Sequence, residues 1–221
     1  MAIATLYVDV SAIDDVTAKM RAQLTPAQFD KLMRRTLKEV GAKAKTKAKK
    51  EVAAKYYGGT AFINSAIGSP KIEGGGASLT CRIVNKGPKG TIGGTFTASG
   101  GWYGWNPPGY SISANIVKGQ VSVLPANMAS YGGQPPFRNL GGKGFIGKNT
   151  KRKNVKLNKM QTGATNVYTR SGPAFHAKFR SVSALAVPQM IVNRAAPGIE
   201  KDIDTYAAAR VVHNFNYMFN F

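Results

Sequence analysis

Apolar residues recur at spacings of three and four between residues 29 and 52: Phe29, Met33, Val40, Ala44, Ala48 and Val52, with Thr36 in the same row. That period holds one face of a helix for about seven turns. Thr25-Pro26 opens it, because Thr is a good N-cap and Pro is tolerated at the first helical position. Gln28, three residues after Thr25, completes a capping box, and Gly58-Gly59 is the expected stop. From Gly41 to Ala54 the inward positions shrink to Gly and Ala, which allows another element to approach closely. Looser alternation over residues 2–10 (Ile3, Thr5, Leu6, Tyr7, Val8, Val10) predicts a short strand, and Asp14-Asp15 precede a short helical stretch.

Residues 58–142 are rich in Gly and Pro and lack a helical period. Strands are expected at 78–84, 110–117 and 120–124, the last two as a hairpin around Lys118-Gly119. Phe145-Ile146 and Asn166–Arg170 read as paired strands. Helical character returns at Pro188. Pro197-Gly198 kinks or restarts that helix, and the row Ile199, Ile203, Ala207, Val211, Phe215, Met218 continues it. Glu200, Asp202 and Asp204 fall in its first turns, where the helix dipole favours negative charge. The fold predicted is α+β in a single domain over 1–221. A long basic N-terminal helix and a kinked C-terminal helix pack on a mostly antiparallel sheet, with 58–142 a Gly/Pro-rich strand-and-loop insertion and 143–170 a basic β-hairpin.

Charge changes the picture most. The chain has 221 residues and a formal net charge of +21. Between Gly74 and Ile199 there are 126 residues with sixteen Lys or Arg and no carboxylate. Internal ion pairs cannot neutralise that stretch, so its charge faces solvent, a polyanion or a partner subunit. The gap also removes the commonest general acids, general bases and hard-metal ligands from over half the chain. Two basic clusters stand out. Lys43, Lys45, Lys47, Lys49 and Lys50, with Lys55, lie on the long helix against Glu51 alone. Lys143, Lys148, Lys151, Arg152, Lys153, Lys156 and Lys159 lie within seventeen residues at the hairpin tip. Both read either as solvated faces or as phosphate contacts without base reading. The DNA-facing candidates are Lys43, Lys45, Lys47, Lys49 and Lys50 on the helix and Lys151, Arg152, Lys153 and Lys156 on the hairpin.

Aromatic residues supply candidate contacts of another kind. Gly100–Tyr110 holds Trp102, Trp105 and Tyr110 in a Gly/Pro-rich loop, and the chain ends in an aromatic tail with Phe219 and Phe221. A loop or tail of this type folds over its own core or anchors a partner, and base stacking is a third, less favoured role for the loop. Trp102, Trp105, Tyr110, Phe219 and Phe221 are therefore the subunit-interface candidates.

Catalytic patterns are absent from the sequence. His176 and His213 are far apart, and the single Cys81 sits in an apolar strand-like run, excluding an internal disulfide. The ten acids fall in residues 9–73 and 200–204, so a paired-carboxylate site would need those ends to meet. The glycine clusters match neither a P-loop nor a dinucleotide fingerprint, and no zinc-finger, basic-zipper or RNP motif is present. The expectation is a non-enzyme with no cofactor and no metal. No apolar run approaches the ~20 residues of a membrane helix, and the N-terminus lacks signal-peptide character, so synthesis in the cytoplasm is expected.

The order of parts from Lys143 to Phe221 resembles the minor tail protein Z, or tail-completion, family of long-tailed bacteriophages. The resemblance rests on the Phe145-Ile146 strand, the basic hairpin, the strand ending Val167-Tyr168-Thr169-Arg170, the connector Gly172-Pro173-Ala174-Phe175, and Ser183–Ile191 leading into the terminal helix. The N-terminal helix agrees in character, and residues 58–135 depart from the pattern. The resemblance implies a structural virion protein of the neck, assembled in the host cytoplasm. It implies a homo-oligomer, a hexameric ring. The implied neighbours are a tail terminator or tail tube protein and head connector proteins, around double-stranded genomic DNA and away from any membrane. A free, sequence-independent nucleic-acid-binding protein, such as a packaging or ribosome-associated factor, is the alternative. An enzyme built on His176 or His213 is the third class.

Overall fold

The computed structural model describes residues 2–8, 14–92, 94–100, 112–123, 144–148, 165–171, 178–181 and 183–219. Helices and antiparallel strand pairs make an α+β protein, and its contacts divide into two compact units. The first comprises 1–55, 63–88 and 186–221, and the second 56–62 and 89–185.

The first unit begins with strand β1 (Ala2–Val8) and helix α1 (Asp14–Gln23). Helix α2 (Pro26–Lys55) follows, entered through the expected capping box. The Thr25 N–H donates to Gln28 Oε1 at 2.9 Å, and the Gln28 N–H donates to Thr25 Oγ1 at 3.3 Å. All seven residues of the predicted row are buried, together with Leu32, Leu37 and Gly41. The helix ends at Lys55, ahead of Gly58-Gly59.

Helix α3 (Thr60–Ala66) and strand β2 (Ile67–Glu73) come next, followed by a 3-10 turn (Gly76–Ser78) and strand β3 (Thr80–Gly87). The strands form one sheet in the order β1-β3-β2, both pairs antiparallel. Cys81, Ile83, Asn85 and Gly87 point inward from β3, toward the core. Neither α3 nor β2 is foreshadowed by a clear period. Residues 60–66 are short and mixed in polarity, and β2 carries Gly68 and Pro70, which interrupt its register. Residues 63–88, placed by sequence inside the Gly/Pro-rich region, thus supply two of the three strands of the first unit's sheet.

The C-terminal part of this unit is helix α4 (Val187–Met190), a π turn (Ile191–Ala195) and helix α5 (Ala196–Phe219). Pro188 lies in the first turn of α4, as expected. The irregularity anticipated at Pro197-Gly198 takes the form of the π turn just before it, where the Ala196 N–H donates to the Ile191 carbonyl. Ile199, Ile203, Ala207, Val211 and Phe215 are buried in one row. Leu32, Met33, Leu37, Val40 and Val52 of α2 are core residues too, as are Val187, Met190 and Ile191.

The second unit contains strands β4 (Lys89–Thr91), β5 (Ala98–Gly100), β6 (Ile112–Ala114), β7 (Ser122–Val123), β8 (Gly144–Lys148), β9 (Thr165–Ser171), β10 (Lys178–Ser181) and β11 (Ser183–Ala186, whose last residue belongs to the first unit). β5, β6 and β7 form an antiparallel sheet in that order. The β6–β7 connection turns at Lys118-Gly119, where Gly119 has φ +77° and the Gln120 N–H donates to the Val117 carbonyl. β8, β9 and β10 form a second antiparallel sheet, with Phe145 opposite Tyr168 and Ile146 opposite Val167, the pairing expected from sequence. β4 pairs with β11. Tyr56 and Phe96 are the largest fully buried side chains among the described residues of this unit, and Phe62 meets the Phe96 ring edge-on at 6.2 Å.

Candidate nucleic-acid interface

The lysines of α2 do not share one environment. Residues seven apart on a helix drift by only about 20°, so Lys31, Lys38 and Lys45 form a row, with Lys49 one turn beyond. This flank faces β2: Lys45 Nζ donates to Ser69 Oγ at 3.1 Å, and Arg34 Nη2 donates to the Gly74 carbonyl at 3.0 Å. Its single acid, Asp30, accepts from Arg34 Nε at 2.7 Å and from the Gly76 N–H at 3.3 Å. Those hydrogen bonds, Arg34 first, hold the Asp30 carboxyl below its ordinary value. Lys31 and Lys38 are exposed, and Lys45 and Lys49 half-buried. Among the described residues no carboxylate pairs with any of these four.

The opposite flank meets α5, and there the cations are engaged. Lys47 Nζ lies 2.6 Å from Asp202 Oδ2 and 3.1 Å from Glu51 Oε1. Lys55 Nζ approaches Glu51 Oε2 at 3.3 Å and donates to the Arg194 carbonyl in the π turn at 2.6 Å. Lys43 Nζ sits 5.2 Å above the Tyr206 ring. Further toward the N-terminus of α2, Arg210 Nε pairs with Glu39, and the buried Asn214 donates to Thr36 Oγ1 and to Glu39 Oε2. Arg35 lies over the Tyr217 ring at 4.5 Å. Lys50 is exposed.

The sequence thus names five helix lysines as one group, and the fold divides them. Lys43 and Lys47 are spent on the α2–α5 seam. Lys45 and Lys49 join Lys31 and Lys38, which are not among those five, in a row without carboxylates. The seven-residue spacing was visible in the sequence, but the flank it would occupy was not.

The two acidic stretches do meet, through Glu51 and Asp202, but around Lys47. The Lys47 ammonium lowers both carboxyls below their ordinary values, and the pair raises the lysine. Neither carboxyl is then a proton donor at neutral pH. Cys81 is buried in β3, and burial pushes its thiol up. His213 is exposed on α5. Among the described residues no three His, Cys, Asp or Glu side chains gather as a metal site, and no helix is long and apolar enough to cross a membrane. Phe219 is half-buried, its ring 5.5 Å from Phe215. Trp102, Trp105, Tyr110, Phe221, Lys151, Arg152, Lys153, Lys156 and His176 lie outside the described residues.

Comparison with protein-family models, with curated proteins and with solved structures finds no match to this chain.

Proposed function

We propose that this chain is a structural protein that holds a nucleic-acid backbone without reading its sequence, and that its setting is the neck of a long-tailed phage. The lysine row Lys31, Lys38, Lys45, Lys49 carries the first half of the reading. From Lys31 to Lys49 the helix rises eighteen residue steps, about 27 Å at 1.5 Å per residue. B-form DNA presents one phosphate per ~1.7 Å of axis, so such a row meets several phosphates at once. Point-like ammonium groups on flexible stems suit phosphates of any sequence. The neck setting rests on the resemblance to tail-completion proteins, whose order of parts includes the β8–β9 pair and the helix opened at Pro188. In that setting the chain joins a filled head to a finished tail as a ring subunit, and the ring surrounds the DNA.

Duplex binding over a salt series tests the first half. Two duplexes of unrelated sequence should bind equally. Log affinity should fall linearly with log salt, with a slope shallower by roughly 0.9 for each phosphate contact removed. Replacing Lys31, Lys38 and Lys45 together by Gln should flatten the slope by roughly two to three units. A slope unchanged by the triple replacement would end the assignment of this flank. Electron microscopy of lysates from the parent phage lacking this gene tests the setting. Filled heads beside separate, full-length tails are expected. Normal joined particles would remove the neck and leave the free nucleic-acid-binding reading.

A further inference from the structure

The sheet β1-β3-β2 has two edges of opposite character. The β2 edge is guarded: it carries Pro70, Lys71 and Glu73, and its register with β3 is interrupted between Ile67 and Pro70. Prolines, charges and irregular register are the devices that stop a sheet edge from recruiting another strand. The β1 edge has none of them. Its seven residues, AIATLYV, contain no charge, no Pro and no Gly, and they pair with β3 without a break. Among the described residues β3 is the strand that β1 pairs with, and its other side meets none.

The side chains of β1 are also incompletely covered. On the outer face Ile3 is 62% and Tyr7 63% exposed. On the inner face Ala4 and Leu6 are only half-buried, whereas Asn85 and Ile83, opposite them in the register, are fully buried.

We propose that β1 pairs antiparallel, about a two-fold axis at Thr5, with β1 of a second copy of this chain. The sequence of β1 is self-complementary about that point. Ile3 then lies opposite Tyr7 of the second copy, and Tyr7 opposite its Ile3, giving two β-branched–aromatic cross-strand pairs on the outer face. Ala4 lies opposite Leu6 of the second copy on the inner face, so small meets large. The result is a continuous six-stranded sheet, β2-β3-β1 joined to its copy. Two chains of net charge +21 repel, and a segment without charge is where they approach at least cost. The contact is isologous. A head-to-tail ring contact would use other surfaces, so this inference does not rest on the proposed neck role.

Sedimentation equilibrium of the purified chain tests it. A dimer is expected whose population rises with salt, because screening shortens from ~10 Å at 0.1 M to ~3 Å at 1 M. That sign is opposite to the one expected for DNA binding. Thr5→Lys and Thr5→Asp each place like charges face to face on the axis, and each alone should be monomeric. An equimolar mixture of the two should restore the dimer, since position 5 then meets its opposite charge. A monomer at every salt and concentration overturns the proposal, as does a Thr5→Lys dimer of unchanged strength. Folded single variants whose mixture stays monomeric also overturn it. Should the variants fail to fold, amide hydrogen exchange on the unmodified chain decides. Alternate amides of Ala2–Val8 should exchange more slowly as concentration rises, and concentration-independent exchange overturns the pairing.

Discussion

Gly41 of α2 lies directly against Cys81 of β3: a Cβ at position 41 would come within 2.6 Å of Cys81 Sγ and 2.8 Å of Pro70 Cβ. This is where the helix comes down onto the sheet, and the missing side chain sets how closely they pack. The sequence anticipates it in the shrinkage of inward positions to Gly and Ala after residue 41.

Gly41→Ala should therefore destabilise the protein despite the better helix propensity of Ala. The propensity gain is about 1 kcal/mol, whereas overpacking costs about 1–3 kcal/mol, and here the added carbon meets the rigid Pro70 ring as well as Cys81 Sγ. Urea unfolding should show a lowered midpoint. A raised midpoint would mean that the helix stands farther from the sheet.

Cys81 should be inert toward thiol reagents in the native protein. It is fully buried, and burial disfavours its thiolate, the reactive form. Labelling should proceed at the rate of opening and become fast in denaturant. Rapid labelling of the native chain would contradict the packing around β3.

Acid should loosen the α2–α5 seam. Glu39 is held below its ordinary value chiefly by the Arg210 hydrogen bond, Glu51 by Lys47, and Asp202 by Lys47. Groups with depressed folded-state values stabilise the fold above the ordinary carboxyl range, near pH 4. That stabilisation is lost as pH falls through the lower folded values. Melting temperature should hold from neutral pH down to that range and then drop. Lys47→Met should weaken the drop, because it removes the main cause of two of the three shifts. An identical acid profile in the variant would contradict the seam.

Asn214→Asp should be costly at neutral pH and less so in mild acid. The amide donates to Thr36 Oγ1 at 3.2 Å and to Glu39 Oε2 at 3.1 Å from a fully buried position. The substitution removes both donors and sets a second carboxylate beside Glu39. Its cost at neutral pH should exceed the ~1–3 kcal/mol of one orphaned neutral group. Like charges raise one of the two carboxyl values, so protonation relieves part of the penalty as pH falls. Chemical unfolding at two pH values reads the difference, and equal penalties would exclude the charge contact.

Much of the fold was legible because its signals are local. The Thr25–Gln28 box, the buried row of α2, the Gly119 turn and the row of α5 each depend on residues within a few positions of one another. Spacing alone determines them, since helical and turn geometry repeat over a few residues. The β8–β9 pairing was legible too, from two strand-like runs flanking a basic tip. The short α3 and the interrupted β2 were not, because seven residues with Gly and Pro give too little period to read.

The sequence by itself determined that α2 is long, basic and one-sided, that Cys81 is a strand residue, and that charge far exceeds what ten acids can neutralise. Only the tertiary structure decided which lysines those acids claim. Asp202 is far from Lys47 in sequence, and their 2.6 Å contact exists because α5 packs on one flank of α2 and not the other. That β1 and β2 are the edges of this sheet was decided the same way, by β3 taking the centre between them. Periodicity specifies the face that a segment buries, but the neighbour it meets there depends on packing between distant segments.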